Sequence, residues 1–254
     1  MKFALSLVLT ALSACAQIAG PPGAPEAGGQ NAPSSSRGTL TIGSFNPARG
    51  GIESLKASDV AGLHAAIKKT FHPRFSYAGK LTAKFLGAVN VVAIGVASAV
   101  STEIKPLSSK EQSALVAFAK HGGTVIIFAD NSDFQSADDS VLAPFGLASS
   151  GKLDGDQTAT WVGNVSQNPL ASGPAGTAQQ LDTYYPGFLS SLGSAQDLAD
   201  LPGSGEPAAA YLPAGALGSR SGPVVFFADS SLMLDGTRTK DDQIAILNAI
   251  ALTP

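Results

Sequence analysis

Residues 107–133 constrain the fold more than any other stretch, because a helix start, a helix stop and a buried strand follow one another there. Ser108 and Glu111 have the spacing of a capping box, in which each side chain accepts a hydrogen bond from an unpaired amide at the helix start. The pair Gly122 and Gly123 can adopt the positive φ that ends a helix. The apolar face between these ends is formed by Leu115, Phe118 and Ala119. We therefore predict a helix with defined ends.

A continuous apolar run at residues 124–129 follows this helix and has no polar face. Such a run is typical of a parallel strand that helices cover on both sides. The same succession of turn, apolar run and Asp followed by hydroxyl residues recurs at residues 222–231. Further strands are predicted at residues 39–45, 74–78, 89–97, 158–162 and 208–212. Because these strands alternate with helices, we predict an α/β fold with a doubly wound, mostly parallel sheet and helices on both faces.

Three further helices are predicted. The first is expected to be capped by Ser58 or Asp59, and its apolar face is formed by Val60, Leu63, Ile67 and Phe71. The second lies around residues 136–145, and the last carries Asp241 and Asp242 at its positive amino end. Gly95, inside the strand at 89–97, predicts the close approach of a helix.

The first 38 residues carry signals for export and anchoring rather than for a folded core. Residues 1–14 combine one lysine with an apolar run too short to span a bilayer, which is typical of a secretory signal peptide. The sequence Leu-Ser-Ala-Cys that ends at Cys15 resembles the bacterial lipobox, so we predict that Cys15 is lipidated and holds the protein at a membrane. Residues 15–38 are rich in Pro, Gly and Ser and predict a flexible tether. Ala16 after the cysteine favours the periplasmic side of a bacterial outer membrane.

The amino-acid composition limits the classes of molecule that this protein can bind. The formal net charge is -3 and only 14% of the residues are charged, so no clustered basic surface is available for nucleic acid. Residues 39–254 are long enough for a single α/β domain with a sizeable core. Cys15 is the only cysteine, which excludes an internal disulfide.

Polar residues follow several of the predicted strands. The carboxyl ends of parallel strands meet at one edge of a sheet, which is where open α/β sheets bind ligands. We therefore predict a ligand-binding crevice at this edge. Its candidate residues are Asn46, Ser98, Asp130, Asn131, Ser132, Asp133, Asp229 and Ser230. Neither the GxGxxG nor the Walker spacing occurs, and no residue pattern predicts a cofactor or a metal ligand set.

Three segments of this chain resemble the class I glutamine amidotransferase-like superfamily, and in particular a bacterial lipoprotein branch related to auxiliary proteins of gliding-motility and ABC-transport systems. They lie at residues 107–131, 221–235 and 239–252. The resemblance implies a flavodoxin-like sheet. The enzymes of that superfamily need a nucleophilic Cys activated by a His. No Cys follows Cys15, no His follows His121 and no GxSxG occurs, so glutamine hydrolysis by that mechanism is excluded.

Two functions from different classes remain open. The first is a lipid-anchored, non-catalytic domain of the cell envelope that binds a carbohydrate ligand or a protein partner at the crevice. The second is a carboxylate- or metal-dependent hydrolase acting on envelope carbohydrate. In that case Asp130, Asp133, Asp229 and Asp235 are expected to converge. The alternative for these aspartates is a structural role in helix caps and tight turns. Side chains that could stack on a sugar ring, or pack in the core, are Trp161, Tyr184 and Tyr185.

Overall fold

The computed structural model describes residues 39–254; the predicted signal peptide, the tether and Cys15 lie outside the described residues. The strands in chain order are β1 Thr41–Phe45, β2 Arg74–Ala78, β3 Val91–Gly95, β4 Ala97–Ala99, β5 Thr102–Glu103, β6 Thr124–Phe128, β7 Ala148–Ser150, β8 Asp156–Trp161, β9 Ser172–Gly173, β10 Gly176–Thr177, β11 Leu181–Tyr184, β12 Phe188–Ser191, β13 Gln196–Asp200, β14 Pro207–Leu212 and β15 Val224–Phe227. The helices are α1 Pro47–Gly50, α2 Ala61–Phe71, α3 Ala83–Leu86, α4 Ser109–Lys120, α5 Gln135–Leu142 and α6 Lys240–Ala251.

Nine strands form the central sheet, in the order β11-β8-β13-β14-β15-β6-β3-β1-β2. The strands β15, β6, β3, β1 and β2 pair in parallel. Numbered along the chain, these five strands have the order 2-1-3-4-5, which is the flavodoxin-like order. The predicted fold class, a flavodoxin-like, mostly parallel α/β sheet, is confirmed. The other four strands extend the sheet through antiparallel pairs, which the sequence did not predict.

Helices cover the sheet on both faces, as predicted. Successive residues of the buried strands point to opposite faces. On one face, Val91 and Ile126 pack in a cluster with Leu63 and Ile67 of α2 and with residues of α6. On the other face, apolar residues of α4 and α5 cover the sheet, and the residues on that side include Val92, Ile94, Val125, Ile127, Leu115, Ala119 and Val141. The parallel strands β3, β6 and β15 therefore have no face in water, which is why their sequences are almost continuously apolar.

Helix α4 begins at the predicted capping box. The amide of Ser108 donates to Glu111 Oε2 at 3.0 Å, and the amide of Glu111 donates to the Ser108 hydroxyl at 3.4 Å. Of the two glycines that follow, only Gly122 has a positive φ, at 99°. Gly123 is needed for a different reason, because a Cβ there would lie 2.3 Å from the ring of Phe118.

The prediction that Ser58 or Asp59 caps helix α2 is wrong. Those residues form a short 3-10 turn, and the α-helix begins at Ala61 with no cap from its own flanking side chain. Asp235, 173 residues away in the chain, accepts a hydrogen bond from the amide of Gly62 at 2.7 Å. Local spacing could not reveal this cap, because the carboxylate arrives from a remote loop.

The remaining predicted helices are present. Helix α5 spans Gln135–Leu142 and continues as a 3-10 turn to Phe145. Helix α6 begins at Lys240, and its capping box joins Thr239 to Asp242. Within residues 39–254, no helix is both long and apolar enough to cross a bilayer.

Candidate functional site

Three acidic side chains meet beneath the carboxyl ends of β3, β6 and β15. Glu53 reaches this point from the 3-10 turn after β1, and its Oε2 accepts a hydrogen bond from the amide of Ala97 at 2.7 Å. Gly95 leaves the room for this carboxylate, since a Cβ there would lie 2.3 Å from Glu53 Oε2. Asp130 follows β6 and Asp229 follows β15. We call Glu53, Asp130 and Asp229 the acidic cluster.

Hydrogen bonds from the protein occupy the two strand-end carboxylates. Asp130 accepts from the amide of Asn131 at 2.7 Å and from the hydroxyl of Ser230. Asp229 accepts from the amide of Ser231 at 2.8 Å and from the amide of Tyr184 at 2.5 Å. In the part of the chain that the structure describes, Glu53 Oε1 is buried without a hydrogen-bond partner.

Burial raises the pKa of every carboxyl group in this cluster. It raises the pKa of Asp130 to about 6, against hydrogen bonds from Ser230 and Asn131 that lower it. Burial and the charge of Asp130 raise the pKa of Asp229 to about 8. Burial also raises the pKa of Glu53 well above its ordinary value. A buried carboxyl in a dry site retains its proton because the ion would lose its hydration.

A fourth buried acid supports the cluster from α5. Asp138 accepts hydrogen bonds from the amide of Asp130 at 3.1 Å and from the hydroxyl of Ser149 at 2.7 Å. Burial raises its pKa well above the ordinary value. The carboxyl oxygens of Asp130, Asp138 and Asp229 accept hydrogen bonds from other groups of the protein, so these side chains stabilise the strand ends. Among the described residues, no group of three His, Cys, Asp or Glu side chains is arranged to hold a metal ion.

A cavity of about 360 Å³ lies beside the acidic cluster and shares Asp229 with it. Backbone pairing brings several of its residues together, since the edge strand β11 runs antiparallel to β8 with Asp182 opposite Thr158 and Tyr184 opposite Asp156. The residues that line it are Asp156, Gln157, Thr158, Asp182, Thr183, Tyr184, Asp229, Ser231, Gly236, Thr237 and Thr239. It lies between strands β8 and β11 of the antiparallel extension and the segment that follows β15.

Asn46 and Ser98 lie apart from this cavity. Asn46 follows β1 and precedes α1, and its Oδ1 is buried with no hydrogen-bond partner among residues 39–254. Ser98 borders a second cavity, of about 400 Å³, together with Arg49, Lys80 and Lys105. Arg49 is already engaged there, because its guanidinium forms an ion pair with Glu111 and donates to the carbonyl of Lys105.

The convergence of four aspartates that the hydrolase alternative expects is absent for two of them. Asp133 is at the surface and pairs with Lys152 at 2.5 Å, while the Asp235 carboxylate caps α2 and pairs with Arg238. Only Asp130 and Asp229 come together. Of the other candidate residues, Ser230 is buried in the cluster. Ser132 is exposed, and its backbone amide donates a hydrogen bond to the carbonyl of Gly151.

Asn131 connects the cluster to the aromatic residues near the cavity. Its Oδ1 accepts from the amide of Asp133 at 3.0 Å, and its side-chain amide donates to the carbonyl of Tyr185 at 2.8 Å. Tyr184 and Tyr185 are among the large exposed side chains, and their rings meet edge to face with centroids 4.8 Å apart. Trp161 is buried, and its indole donates to the carbonyl of Ala178 at 3.0 Å, so it is a packing residue.

Sequence reasoning missed Glu53, Asp138 and Asp182. Glu53 follows a Gly-rich loop with no motif around it, and the one available signal was Gly95, whose missing side chain makes room for it. Asp138 lies on the buried face of helix α5. The periodicity of the sequence predicts the helix but does not identify the residues that Asp138 contacts. Asp182 belongs to an edge strand whose pairing depends on residues far away in the sequence.

No protein-family model matches the sequence, and no curated protein matches it either. Several solved structures share the fold. The mmIFT52 N-terminal domain matches with a TM-score of 0.58 and 13% identity, covering 84% of this chain and 96% of that chain. A protein described as ThuA-like from Bacteroides uniformis matches with a TM-score of 0.54 and 11% identity, covering 89% of this chain and 95% of that one.

A β-galactosidase from Bacillus circulans sp. alkalophilus also matches, with a TM-score of 0.51 and 9% identity, over 85% of this chain and 30% of that chain. At these identities the matches describe architecture and carry no activity. ThuA-like proteins have the class I glutamine amidotransferase-like fold, so the superfamily-level resemblance in the sequence is confirmed for the fold.

Proposed function

We propose that this chain is a lipid-anchored, non-catalytic domain of the bacterial cell envelope that binds a carbohydrate ligand or a protein partner at the carboxyl edge of its sheet. The observation that supports a binding role is the polar cavity of about 360 Å³ at that edge, which is within the size range of small-molecule sites, ~300–1,000 Å³. The lipid anchor is proposed from the lipobox-like sequence ending at Cys15.

A non-catalytic role is supported by how the carboxylates are used. A general acid or base must reach the proton that it transfers. Both oxygens of Asp229 accept hydrogen bonds from backbone amides, and the oxygens of Asp130 are held by Asn131 and Ser230. Because these hydrogen bonds hold Asp130 and Asp229 within the protein, neither carboxylate is directed at a bound molecule.

The anchor is tested by cell fractionation of the full chain and of the variant Cys15→Ser. Because a thioether-linked lipid needs the cysteine sulfur, the variant is expected in the soluble or unprocessed fraction, and the wild type in the membrane pellet. Ser35→Ala in the predicted tether is the control and should pellet normally. Unchanged pelleting and normal maturation of Cys15→Ser would refute the anchor.

One observation keeps the hydrolase as a second candidate. Asp229 borders the cavity and carries its proton at neutral pH, as a general acid does. The purified full chain is incubated with the neutral hexasaccharides of glucose, galactose and N-acetylglucosamine, and reducing ends are measured. Our proposal expects no turnover. Hydrolysis that Asp229→Asn abolishes would replace the binding role by an enzymatic one.

A further inference from the structure

The cavity beside Asp229 is unusual in its chemistry. Its lining contains carboxylates, hydroxyls, one amide side chain and one tyrosine, but within the described residues no Lys, Arg or His and no aliphatic side chain borders it. An anionic ligand would meet only like charge there, and an apolar ligand would leave the hydroxyls and carboxylates without partners. The lining therefore disfavours an anionic or an apolar ligand and offers hydrogen-bond partners to a molecule that is rich in hydroxyl groups.

Two pairs of side chains form one wall of the cavity in fixed register. Asp182 and Tyr184 are two residues apart on β11, so they lie on the same face of the sheet. Their cross-strand partners on β8 are Thr158 and Asp156. Neighbouring pairs on one face of a sheet are close enough to contact a single small ligand.

The carboxylate of Asp182 is held in place for recognition. Its Oδ1 accepts from the Thr158 hydroxyl at 2.9 Å and from the Gln180 side-chain amide at 2.7 Å. Its own amide donates to Asp242 at 2.8 Å, which fixes the backbone. Since no hydrogen bond within residues 39–254 uses Oδ2, and Asp182 is only partly buried, this oxygen can accept from a ligand hydroxyl.

The aromatic pair beside it is also held rigidly. Tyr184 is 46% exposed, and its amide is bound to Asp229. Tyr185 has a φ of 52°, a left-handed conformation that is costly for a residue with a side chain. The amide of Tyr185 donates to the carbonyl of Gly155 at 3.0 Å, and its carbonyl accepts from Asn131, so the surroundings maintain this conformation. A fixed, exposed ring loses little entropy when a ligand stacks on it.

From these contacts we propose that the cavity binds a neutral sugar unit of a glycan, with Tyr184 stacking on the ring and Asp182 accepting from its hydroxyl groups. This inference rests on the proposed function and names the ligand class for the same edge of the sheet. Hydrogen bonds from the sugar hydroxyls to the charged Asp182 orient the sugar in the cavity. The ring of Tyr184 offers an apolar surface on which the C–H face of the sugar ring can pack.

The test measures binding to the full chain, purified in detergent, by titration calorimetry. The probes are the neutral hexasaccharides of glucose, galactose and N-acetylglucosamine, and the hexasaccharide of galacturonic acid is the charged match for galactose. At least one neutral probe is expected to bind at millimolar concentration or below. The galacturonic acid probe is expected to bind at least about tenfold more weakly than galactose, because its carboxylates face those of the cavity.

Variants separate the two contacts. Asp182→Asn should weaken the binding about tenfold through loss of the charged acceptor, and Tyr184→Ala about fivefold through loss of the ring. Tyr184→Phe keeps the ring and should bind within about twofold of wild type. Asp139→Asn, an exposed substitution on α5, is the matched control for Asp182 and should have no effect.

Each other outcome overturns a defined part of the proposal. If no neutral probe binds, the assignment of a sugar ligand is wrong. The lipid anchor is tested separately, by the fractionation of Cys15→Ser. If a probe binds equally well to Tyr184→Ala and Asp182→Asn, the glycan site lies elsewhere on the protein. If galacturonic acid binds as well as galactose, the electrostatic argument is wrong.

Discussion

The acidic cluster makes the stability of this protein depend on pH in an unusual direction. Asp229 keeps its proton in the folded state up to a pKa of about 8, whereas the ordinary value that applies in the unfolded chain is 3.8. Between these values the folded state binds the additional proton. The free energy of unfolding therefore decreases as the pH rises, by ~1.4 kcal/mol per pH unit for each retained proton.

The expected change is large enough to measure. Between pH 5 and pH 7, Asp229 contributes a loss of about 3 kcal/mol. Asp130, with a pKa of about 6, adds about 1 kcal/mol over the same interval. Glu111, whose pKa of about 2 reflects hydrogen bonds from Arg49 and Ser108 that outweigh its burial, is ionised in both states and contributes nothing there. The ~4 kcal/mol from these two aspartates alone is a large part of the ~5–15 kcal/mol that stabilises a typical domain.

Urea unfolding of the full chain, followed by the fluorescence of the buried Trp161, measures this dependence at pH 5, 6 and 7. Glu53→Gln gives the sharpest comparison. The new side chain is neutral in both states and keeps an oxygen for the amide of Ala97, so the decrease of stability between pH 5 and pH 6 should become shallower. The control Asp59→Asn replaces an exposed carboxylate outside the cluster and should keep the wild-type slope.

One result would refute this reasoning directly, namely a stability that is constant or rises between pH 5 and pH 7 in the wild type. An equal slope in Glu53→Gln would show that Glu53 holds no additional proton in the folded state. His64 acts in the opposite direction, because burial and the charge of Lys68 lower its pKa. Its contribution is common to the wild type and both variants, so the comparison of slopes removes it.

Two further predictions concern acidic side chains outside the cluster. Glu111→Gln should destabilise the protein by about 2 kcal/mol at pH 7, because it leaves the buried Arg49 without its counter-charge; a urea-unfolding loss below about 1 kcal/mol would contradict this. Burial and the hydrogen bond and charge of Asp200 raise the pKa of Asp197 to about 7. Asp200→Asn should lower that pKa in an NMR titration of the carboxyl carbon, and an unchanged midpoint would show that Asp200 has no such effect.

The site was predictable only in outline. Asp130 and Asp229 were found because each directly follows a continuous apolar strand, and parallel strands must end at the same edge. The sequence could not show that backbone amides would occupy both carboxylates, since the amide of Tyr184 comes from a strand of the antiparallel extension. It also could not place Asp235 at the start of α2, or Asp182 in the wall of a cavity.

The sequence by itself determined the elements whose causes are local. Three elements depend only on neighbours within a few residues, so their patterns can be seen in the sequence. They are the capping box of Ser108 and Glu111, the strand Arg74–Ala78 and the buried strand Thr124–Phe128. The tertiary structure alone decided the antiparallel extension of the sheet, the buried acidic cluster around Glu53 and the polar cavity beside it. These features depend on hydrogen bonds and desolvation between segments that are far apart in the chain, and such partners exist only once the chain has folded.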